Sequence, residues 1–302
     1  MTERIPAILN VKSGSAEEAR KVLESSDGFD VHAVEPNEIA STISEVVGEG
    51  AQRVLVSGGD GTIATAATAL LETPAELAIL PGGTLNHFAR SLGVSTAAEA
   101  ALELAAQGES RGVDVGLVNG RAFLNTSSVG AYVRFVRIRE RLERRFGYRV
   151  ASAMAALRIL FQWGTFAVEL EVDGEPRIYR TPVVFIGVGE RELQVPTLGN
   201  RVPNGRRGLH VMVVRGRSRA RVFAIALAAV ARGVDAVAKT PELDAYLVER
   251  CRISVRRPTR VALDGEIESM QTTLEYELRR DALHVVCPPA DHESKVEEAQ
   301  SA

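Results

Sequence analysis

Ser57-Gly58-Gly59-Asp60-Gly61-Thr62 follows the short apolar run Arg53 to Val56 and precedes a segment with helical spacing. This order predicts a strand, a glycine-rich turn and a helix that begins near Ile63. We expect the glycines at 58, 59 and 61 to adopt positive φ and to let backbone amides approach a ligand without a Cβ in the way. The N-terminus of the helix supplies N–H groups and the positive end of its dipole. The stretch therefore predicts an anion site, although Gly-Gly-Asp-Gly alone also fits a simple tight turn.

Two side chains in this stretch indicate which anion binds. Asp60 places a carboxylate where two phosphates are expected to sit, which is unfavourable unless Mg2+ lies between them. Thr62 is expected either to cap the helix or to reach a phosphate. A nucleotide that carries a metal ion therefore fits the stretch better than a bare phosphate.

Two further turns have the same form. Leu80-Pro81-Gly82-Gly83-Thr84-Leu85-Asn86 follows the apolar run Leu77 to Leu80, and Asn10-Val11-Lys12-Ser13-Gly14-Ser15 ends an apolar strand. The second of these also fits an ordinary capped helix. Strands and helices alternate through residue 107, and such alternation forms a parallel sheet with ligand sites at the carboxyl ends of its strands. All three turns are therefore expected at one edge of the sheet.

The spacing of apolar residues changes after Arg111. Asn119-Gly120 predicts a hairpin with a type I′ turn, and Asp173-Gly174 predicts a second hairpin. Further strands are predicted over 182–188, 208–215, 246–255, 260–263, 272–278 and 282–287. The predicted fold class is therefore α/β, with an N-terminal three-layer parallel-sheet domain over 1–112 and a C-terminal antiparallel, β-rich sandwich domain over 113–285. Residues 286–302 form a polar tail that either frays or returns to the first domain.

The stretch Val261-Ala262-Leu263-Asp264-Gly265-Glu266 lies between two predicted strands, and on spacing alone it indicates a turn. Combined with the glycine turns, it resembles the diacylglycerol kinase catalytic family, which includes bacterial lipid kinases and the sphingosine and ceramide kinases. The resemblance extends from Asn10 to about Pro288. It implies that the first domain has the fold shared by NAD kinases and lipid kinases.

The resemblance also implies an active site. Glu266 is expected to be the general base for a lipid hydroxyl, with Asp264 as its partner and Asp60 as a third catalytic carboxylate. ATP and Mg2+ are the implied cofactors, and Asp60 and Asp264 are expected to reach the metal through Mg-ATP. The residues expected to bind the nucleotide are Asn10, Ser13, Gly58, Gly59, Asp60, Gly61, Thr62, Gly83, Thr84 and Asn86.

Apart from a valine at position 11 where the family usually has proline, the chain departs from the family pattern at three places. His87 follows Asn86 where the family has an acid, and we expect it to be structural rather than catalytic. The segment 205–209 has no acid where the family often has Asp-Asp-Gly-x-Leu holding a structural Mg2+, so that site is expected to be absent. The run 189–191, Gly-Glu-Arg, replaces an Asn-rich turn. Asp114 does match a family acid, unless it is a strand residue that faces solvent.

Composition limits the partners and the compartment. The 302 residues are 45% hydrophobic, which suits two domains, and the formal net charge of −3 argues against nucleic acid as the main partner. Cys251 and Cys287 have no disulfide or metal-ligand spacing and are expected to be core residues in a reducing compartment. The first residues lack the blocks of a signal peptide, and the longest apolar run, 222–231, is about half of what a bilayer needs. We expect a cytoplasmic protein, at most peripheral at the inner membrane face.

Arginines are clustered in the β-rich half. The segment 134–158 holds eight arginines and two glutamates, and the segment 201–221 holds seven arginines and no acid. The aromatic residues within or close to the first cluster are Phe135, Tyr148, Phe161 and Trp163. Such a surface favours transient contact with an anionic membrane, whereas solvated helix faces are the alternative. An exposed strand edge in this domain makes a homodimer reasonable.

These features together predict a lipid kinase of phospholipid metabolism. The enzyme is expected to transfer the γ-phosphoryl group of Mg-ATP to a hydroxyl of diacylglycerol or a related lipid. An NAD kinase-like enzyme is the nearest alternative, but that family has a Leu-Gly-Phe-Leu type turn where this chain has Gly-Gly-Thr-Leu-Asn. A catalytically silent lipid- or nucleotide-binding protein is the alternative from another class, suggested by the acids missing at 87 and over 205–208.

Overall fold

The computed structural model describes residues 4–84, 86–130, 164–192, 201–202, 205–215, 243–256, 258–271 and 273–289, together with scattered residues between 133 and 158. The chain divides into two compact units. The first unit is Met1–Val115 with Arg279–Ala302, and the second unit is Gly116–Leu278. The apolar run 222–231, the aromatic residues of the arginine cluster and the tail from 291 lie outside the described residues.

The first unit alternates strands and helices, as predicted. Its elements are β1 (Ile5–Asn10), α1 (Ala16–Glu24), β2 (Phe29–Val34), α2 (Ile39–Gly48), β3 (Arg53–Gly58), α3 (Asp60–Leu70), β4 (Glu76–Pro81), α4 (His87–Ser91), α5 (Ala98–Gln107) and the start of β5 (Glu109–Val118). The strands form a parallel sheet in the order β2-β1-β3-β4, and the end of β16 (Thr273–Cys287) adds to β4. A parallel sheet with helical crossovers is confirmed.

Both faces of this sheet are covered by helices, because successive strand side chains point to opposite faces. Leu9 and Leu55 belong to one buried cluster with Leu23 of α1 and Leu102 of α5. The alternate strand residues are also buried, and α2 and α3 contact β1 and β3. The first unit therefore has the three layers that the alternating pattern predicted.

The sheet register places the predicted turns next to each other. β1 pairs with β3 so that Leu9 lies opposite Ser57, and β3 pairs with β4 so that Gly58 lies opposite Pro81. Because these strands are parallel, the turns after β1, β3 and β4 leave the same edge of the sheet.

The second unit is antiparallel and β-rich. Its further strands are β6 (Arg121–Phe123), β7 (Thr126–Gly130), β8 (Phe166–Val172), β9 (Glu175–Thr181), β10 (Val183–Val188), β11 (Leu209–Val214), β12 (Leu243–Val248), β13 (Arg250–Ser254), β14 (Thr259–Leu263) and β15 (Glu266–Met270). One sheet has the order β12-β11-β10-β7-β14-β15, and the start of β16 pairs with β13, which continues to β8 and β9. A buried cluster from both sets of strands, including Phe123, Ile186, Ile253 and Tyr276, forms the core.

Both predicted hairpin turns are confirmed. Asn119 and Gly120 have φ of 48° and 80°, and Asp173 and Gly174 have φ of 53° and 79°. Val118 pairs with Arg121, so the first loop contains only two residues. Positive φ at both central residues is the type I′ geometry, which matches the twist of the flanking strands.

Two strand predictions were wrong, in opposite directions. The segment 246–255 is divided between β12, which pairs with β11, and β13, which pairs with β16 and β8. Conversely, the two strands predicted over 272–278 and 282–287 are one strand, β16, in which Asp281 has a φ of 49°. In both cases the inward-facing positions change parity, once at a change of sheet and once at a single residue with left-handed backbone conformation.

In the part of the chain that the structure describes, no helix is both long and apolar enough to span a bilayer.

Candidate functional site

The three predicted turns of the first unit are tied to one another by hydrogen bonds. The hydroxyls of Ser13 and Ser15 both donate to the carbonyl of Gly82, at 2.7 Å and 3.0 Å. The Gly82 N–H in turn donates to the Gly58 carbonyl at 2.8 Å. The turn after β1 therefore supports the turn after β4, which is anchored on the end of β3. Ser15 was not among the predicted site residues, although it lies in the same turn as Ser13.

The glycines of the turns are needed for close approach and not for positive φ, which corrects the expectation from the sequence. None of Gly58, Gly59, Gly61 and Gly83 has positive φ. A Cβ on Gly83 would lie 2.6 Å from the Gly59 Cα, and a Cβ on Gly58 would lie 2.5 Å from the Thr62 side chain. Real Cβ atoms do not approach so closely, so only glycine lets these two turns pack backbone against backbone.

Helix α3 begins earlier than predicted, at Asp60 rather than near Ile63. Thr62 therefore lies inside the first turn of α3 and is not its cap. Its buried Oγ1 accepts a 2.7 Å hydrogen bond from Asn10 Nδ2, and Asn10 Oδ1 accepts from the Lys12 N–H at 2.9 Å. Because the Asn10 amide donates to Thr62, the hydroxyl proton of Thr62 is left to point elsewhere.

Asp60 joins the turn after β3 to the turn after β4. Its Oδ2 accepts a hydrogen bond from the His87 N–H and its Oδ1 from the Phe88 N–H, both at 3.1 Å, so the carboxylate caps α4. A carboxylate at a helix N-terminus is favoured by the exposed N–H groups and by the dipole. Asp60 is thus a structural residue of the turns, in addition to any role toward a metal.

The donor set of Asp60 fits a bound Mg2+. An ionised carboxylate has about four acceptor positions, and the two hydrogen bonds occupy one on each oxygen. Oxygen ligands are those that Mg2+ prefers. Among the described residues, however, no group of three or more His, Cys, Asp or Glu side chains is arranged to hold a metal ion. The arrangement suits a metal that arrives with phosphate oxygens.

Asn86 organises the turn after β4. It has a φ of 49° and is buried, its Oδ1 accepts from the Gly83 N–H and its Nδ2 donates to the Gly83 carbonyl, both at 2.8 Å. Thr84 and the His87 side chain are exposed. Of the predicted residues in this turn, Asn86 therefore orders the backbone, whereas Thr84 and His87 present their side chains to solvent.

In the second unit, Asp264 is held by a dense set of backbone hydrogen bonds. Its Oδ2 accepts from the Leu124 N–H at 2.7 Å, and its Oδ1 accepts from the N–H groups of Asn125 and Thr126, each at 2.8 Å. Its own N–H donates to the Thr126 carbonyl at 2.8 Å, and its φ is 47°. Asp264 therefore fixes the β6–β7 loop.

Glu266 differs from Asp264 in its surroundings. It is the first residue of β15, lies opposite Leu263 and is exposed. The nearby Arg121 donates to Glu268 Oε1 at 2.7 Å, and this hydrogen bond is the main cause of the raised pKa of Arg121, with a smaller contribution from the charge of Glu266. Glu266 is thus an exposed carboxylate on a turn that Asp264 holds rigid.

A buried arginine, which the sequence did not identify as important, holds the other side of the same loop. Arg191 Nη2 donates to the carbonyls of Asn125 and Val188, both at 2.7 Å, and its N–H donates to His210 Nδ1 at 2.8 Å. Burial lowers the pKa of Arg191 to about 10, a shift opposed by the charge of Asp264. Nothing in the run Gly-Glu-Arg signals this role, because it depends on loop contacts distant in sequence.

The two segments that depart from the family pattern contact each other. The Glu190 carboxylate accepts hydrogen bonds from the Arg206 N–H and guanidinium, at 2.9 Å and 3.1 Å. Backbone bonds join Gly189 to Gly208 and Glu190 to Arg206. An arginine–glutamate pair therefore connects these segments in this chain.

Asp114 does not face solvent. It is 6% exposed, and its Oδ1 accepts a hydrogen bond from the Asp281 N–H at 3.1 Å. The alternative that it is a solvent-facing strand residue was wrong. Cys251 and Cys287 are buried as expected, and burial raises the pKa of the Cys251 thiol to about 12.

Known structures share this architecture. A diacylglycerol kinase from Bacillus anthracis str. Sterne superposes with a TM-score of 0.67 at 22% identity, covering 95% of this chain and 98% of that one. An NAD kinase from Archaeoglobus fulgidus in complex with ATP superposes with a TM-score of 0.51 at 13% identity, covering 98% and 99%. The predicted fold class, shared by NAD kinases and diacylglycerol kinases, is confirmed.

Sequence comparison is more specific for the N-terminal part. Residues 4–118 match the diacylglycerol kinase catalytic domain, and the resemblance seen in the turns is confirmed. The probable lipid kinase YegS-like of Enterobacter sp. (strain 638) is 38% identical over 133 residues, which are 41% of this chain and 44% of that protein. The probable lipid kinase YegS of Escherichia fergusonii is 36% identical over 133 residues, with the same coverage. The chain thus matches less than half the length of these curated relatives.

Proposed function

We propose that this protein is an ATP-dependent lipid kinase that phosphorylates a hydroxyl of diacylglycerol or a related lipid. One observation carries the proposal. The turns after β1, β3 and β4 are joined by Asn10, Ser13, Asp60 and the close approach of Gly59 and Gly83. These turns lie within a segment that matches the diacylglycerol kinase catalytic domain. Such turns offer backbone N–H groups to phosphates.

On the nucleotide side, the proposal gives each turn residue a role. Glycine backbone and the start of α3 bind phosphate oxygens, and Thr62 donates its hydroxyl proton to one of them because Asn10 already donates to Thr62. Asp60 would hold Mg2+ that arrives with ATP. When bound, Mg2+ neutralises charge on the transferring phosphoryl group.

On the acceptor side, Glu266 acts as the general base and Asp264 positions it. The lipid hydroxyl gives its proton to a Glu266 carboxylate oxygen while its own oxygen forms a bond to the γ-phosphorus. The bond from that phosphorus to the bridging oxygen breaks, and ADP leaves. The exposure of Glu266 and the rigid Asp264 turn support this division of roles.

The test is transfer of labelled γ-phosphate from Mg-ATP to a panel of lipids in detergent micelles, with NAD and no acceptor as parallel reactions. We expect label in one lipid. Label in NAD would replace the proposal with an NAD kinase, which the shared fold makes the second candidate. ATP binding without any transfer would favour the catalytically silent binding protein.

Two variants test the assigned base. Glu266→Gln should lose at least a hundredfold in turnover with ATP affinity unchanged, as expected for a general base. Glu268→Gln is the matched control, because it removes the same charge two residues along β15 and should keep most of the turnover. Equal loss in both variants would show that Glu266 has no particular role.

A further inference from the structure

A strongly basic and partly apolar surface lies outside the site just described. The described residues between 133 and 158 are helical, and Gly147, with a φ of 72°, interrupts them. The segment 134–158 carries eight arginines and two glutamates, whereas the whole chain has a net charge of −3. Positive charge is thus concentrated in one short part of an acidic protein.

Before Gly147, four of the five described arginines follow a helical stripe, and the fifth, Arg139, is half-buried. Arg134, Arg137, Arg141 and Arg145 are spaced by three, four and four residues, and all four are exposed. Residues with this spacing lie on one face of a helix. Like charges at these spacings destabilise a helix slightly, so the stripe is not explained by helix stability.

After Gly147, large apolar residues are exposed while small ones are buried. Val150 and Met154 are 51% and 42% exposed, whereas Ala151 and Ala155 are fully buried. Phe146 is 42% exposed, with the Arg145 guanidinium 5.4 Å from its ring centroid. A helix that serves only its own core would bury valine and methionine and expose alanine.

The second arginine run differs from the first where it is described. Arg206 pairs with Glu190 at 3.1 Å, and Arg215 pairs with Asp244 at 2.6 Å. These charges are balanced by acids of the same unit. Of the described residues, those of the first run therefore fit a membrane contact better.

We infer that Arg134, Arg137, Arg141, Arg145, Phe146, Val150 and Met154 form a docking surface for an anionic phospholipid bilayer. Guanidinium groups bind lipid phosphates, and the exposed apolar side chains that follow in the sequence enter the interface beneath the headgroups. Nucleic acid would satisfy the arginines but would leave the valine and methionine in water. This surface serves the lipid kinase function proposed above, and its binding can be measured without any turnover.

The experiment is sedimentation of the full chain with sucrose-loaded vesicles of phosphatidylcholine, with or without one quarter phosphatidylglycerol. Each removed charge should weaken partition about fivefold, so replacing the four stripe arginines by Gln should lower binding to anionic vesicles by more than a hundredfold. Replacing the exposed Arg4, Arg180, Arg256 and Arg260 by Gln is the control of equal net charge, and it should lower binding less than tenfold. Val150→Ser with Met154→Gln should keep the preference for anionic lipid but lose the binding that remains at 500 mM salt.

Several outcomes would overturn the inference. These are equal binding of the wild type to neutral and anionic vesicles, equal loss in the two fourfold variants, and displacement from vesicles by a short DNA duplex at equal charge. Thermal unfolding of each variant shows whether it is folded. Vesicle binding without kinase activity would leave the docking surface standing while the proposed function fails. Phosphorylation of a short-chain soluble lipid without vesicle binding would do the reverse.

Discussion

Asp264 is predicted to stabilise the second unit, whatever its part in chemistry. In Asp264→Asn, the side-chain oxygen can keep the two bonds from Asn125 and Thr126, and Asn tolerates the left-handed backbone at this residue. The new NH2 group, however, would face the Leu124 N–H at the 2.7 Å now spanned by a hydrogen bond. Two donors in contact lose a charge-assisted bond and leave a partly buried N–H unsatisfied, which costs about 2 kcal/mol.

The expected result is a fall of about 4 to 8 °C in the melting temperature of the second unit. Circular dichroism with temperature measures it, and the matched control is Asp173→Asn. Asp173 has nearly the same φ, 53°, precedes a glycine in the same kind of turn and is exposed. We expect the control to change the melting temperature by about 1 °C or less. Asp264→Asn with a melting temperature equal to that of the control would refute the structural role and leave Asp264 as a purely catalytic or metal-binding residue.

Three further predictions concern the turns, the buried arginine and a partly buried histidine. Gly83→Ala should weaken ATP binding at least tenfold in calorimetry, because its Cβ would collide with the Gly59 backbone, while Gly14→Ala, with open space, should not. Arg191→Met should lower the free energy of unfolding in urea by about 3 kcal/mol, because two charge-assisted hydrogen bonds to carbonyls are lost, and Arg191→Lys should recover part of it. Burial lowers the pKa of His210, so stability should fall as the pH drops through and below its ordinary value of 6.5, since the unfolded chain then binds more protons. His210→Gln should flatten the dependence of stability on pH, whereas replacement of the exposed His284 by Gln should not. If the two variants showed the same dependence of stability on pH, another group would be responsible.

The sequence was sufficient where local patterns decide the structure. Alternating apolar runs placed β1, β3 and β4, and parallel pairing then requires their turns to meet at one edge. Asn119-Gly120 and Asp173-Gly174 identified both hairpins, because positive φ at two successive residues leaves few sequence choices. These predictions needed no knowledge of contacts between distant residues.

The sequence was insufficient where long-range contacts decide the structure. The Gly59–Gly83 approach, the capping of α4 by Asp60 and the Arg191 contact with Asn125 each join residues more than twenty positions apart. The change of sheet between β12 and β13 was also missed, because apolar residues occupy both even and odd positions over 243–248 and hide the change of face. The one-residue bend at position 281 had the opposite effect, because the change of parity there was interpreted as a break between two strands.

Strand β16 has a practical consequence for anyone who expresses part of this protein. Its last residues add a strand beside β4, and Val286 packs into the same cluster as Leu9 and Leu23, although it follows them by more than 260 positions. A fragment that stops near residue 115 would lose this strand and expose the edge of β4, which invites aggregation. Supplying residues 279–289 as a separate peptide should restore solubility, so the two ends of the chain offer a natural split-protein pair.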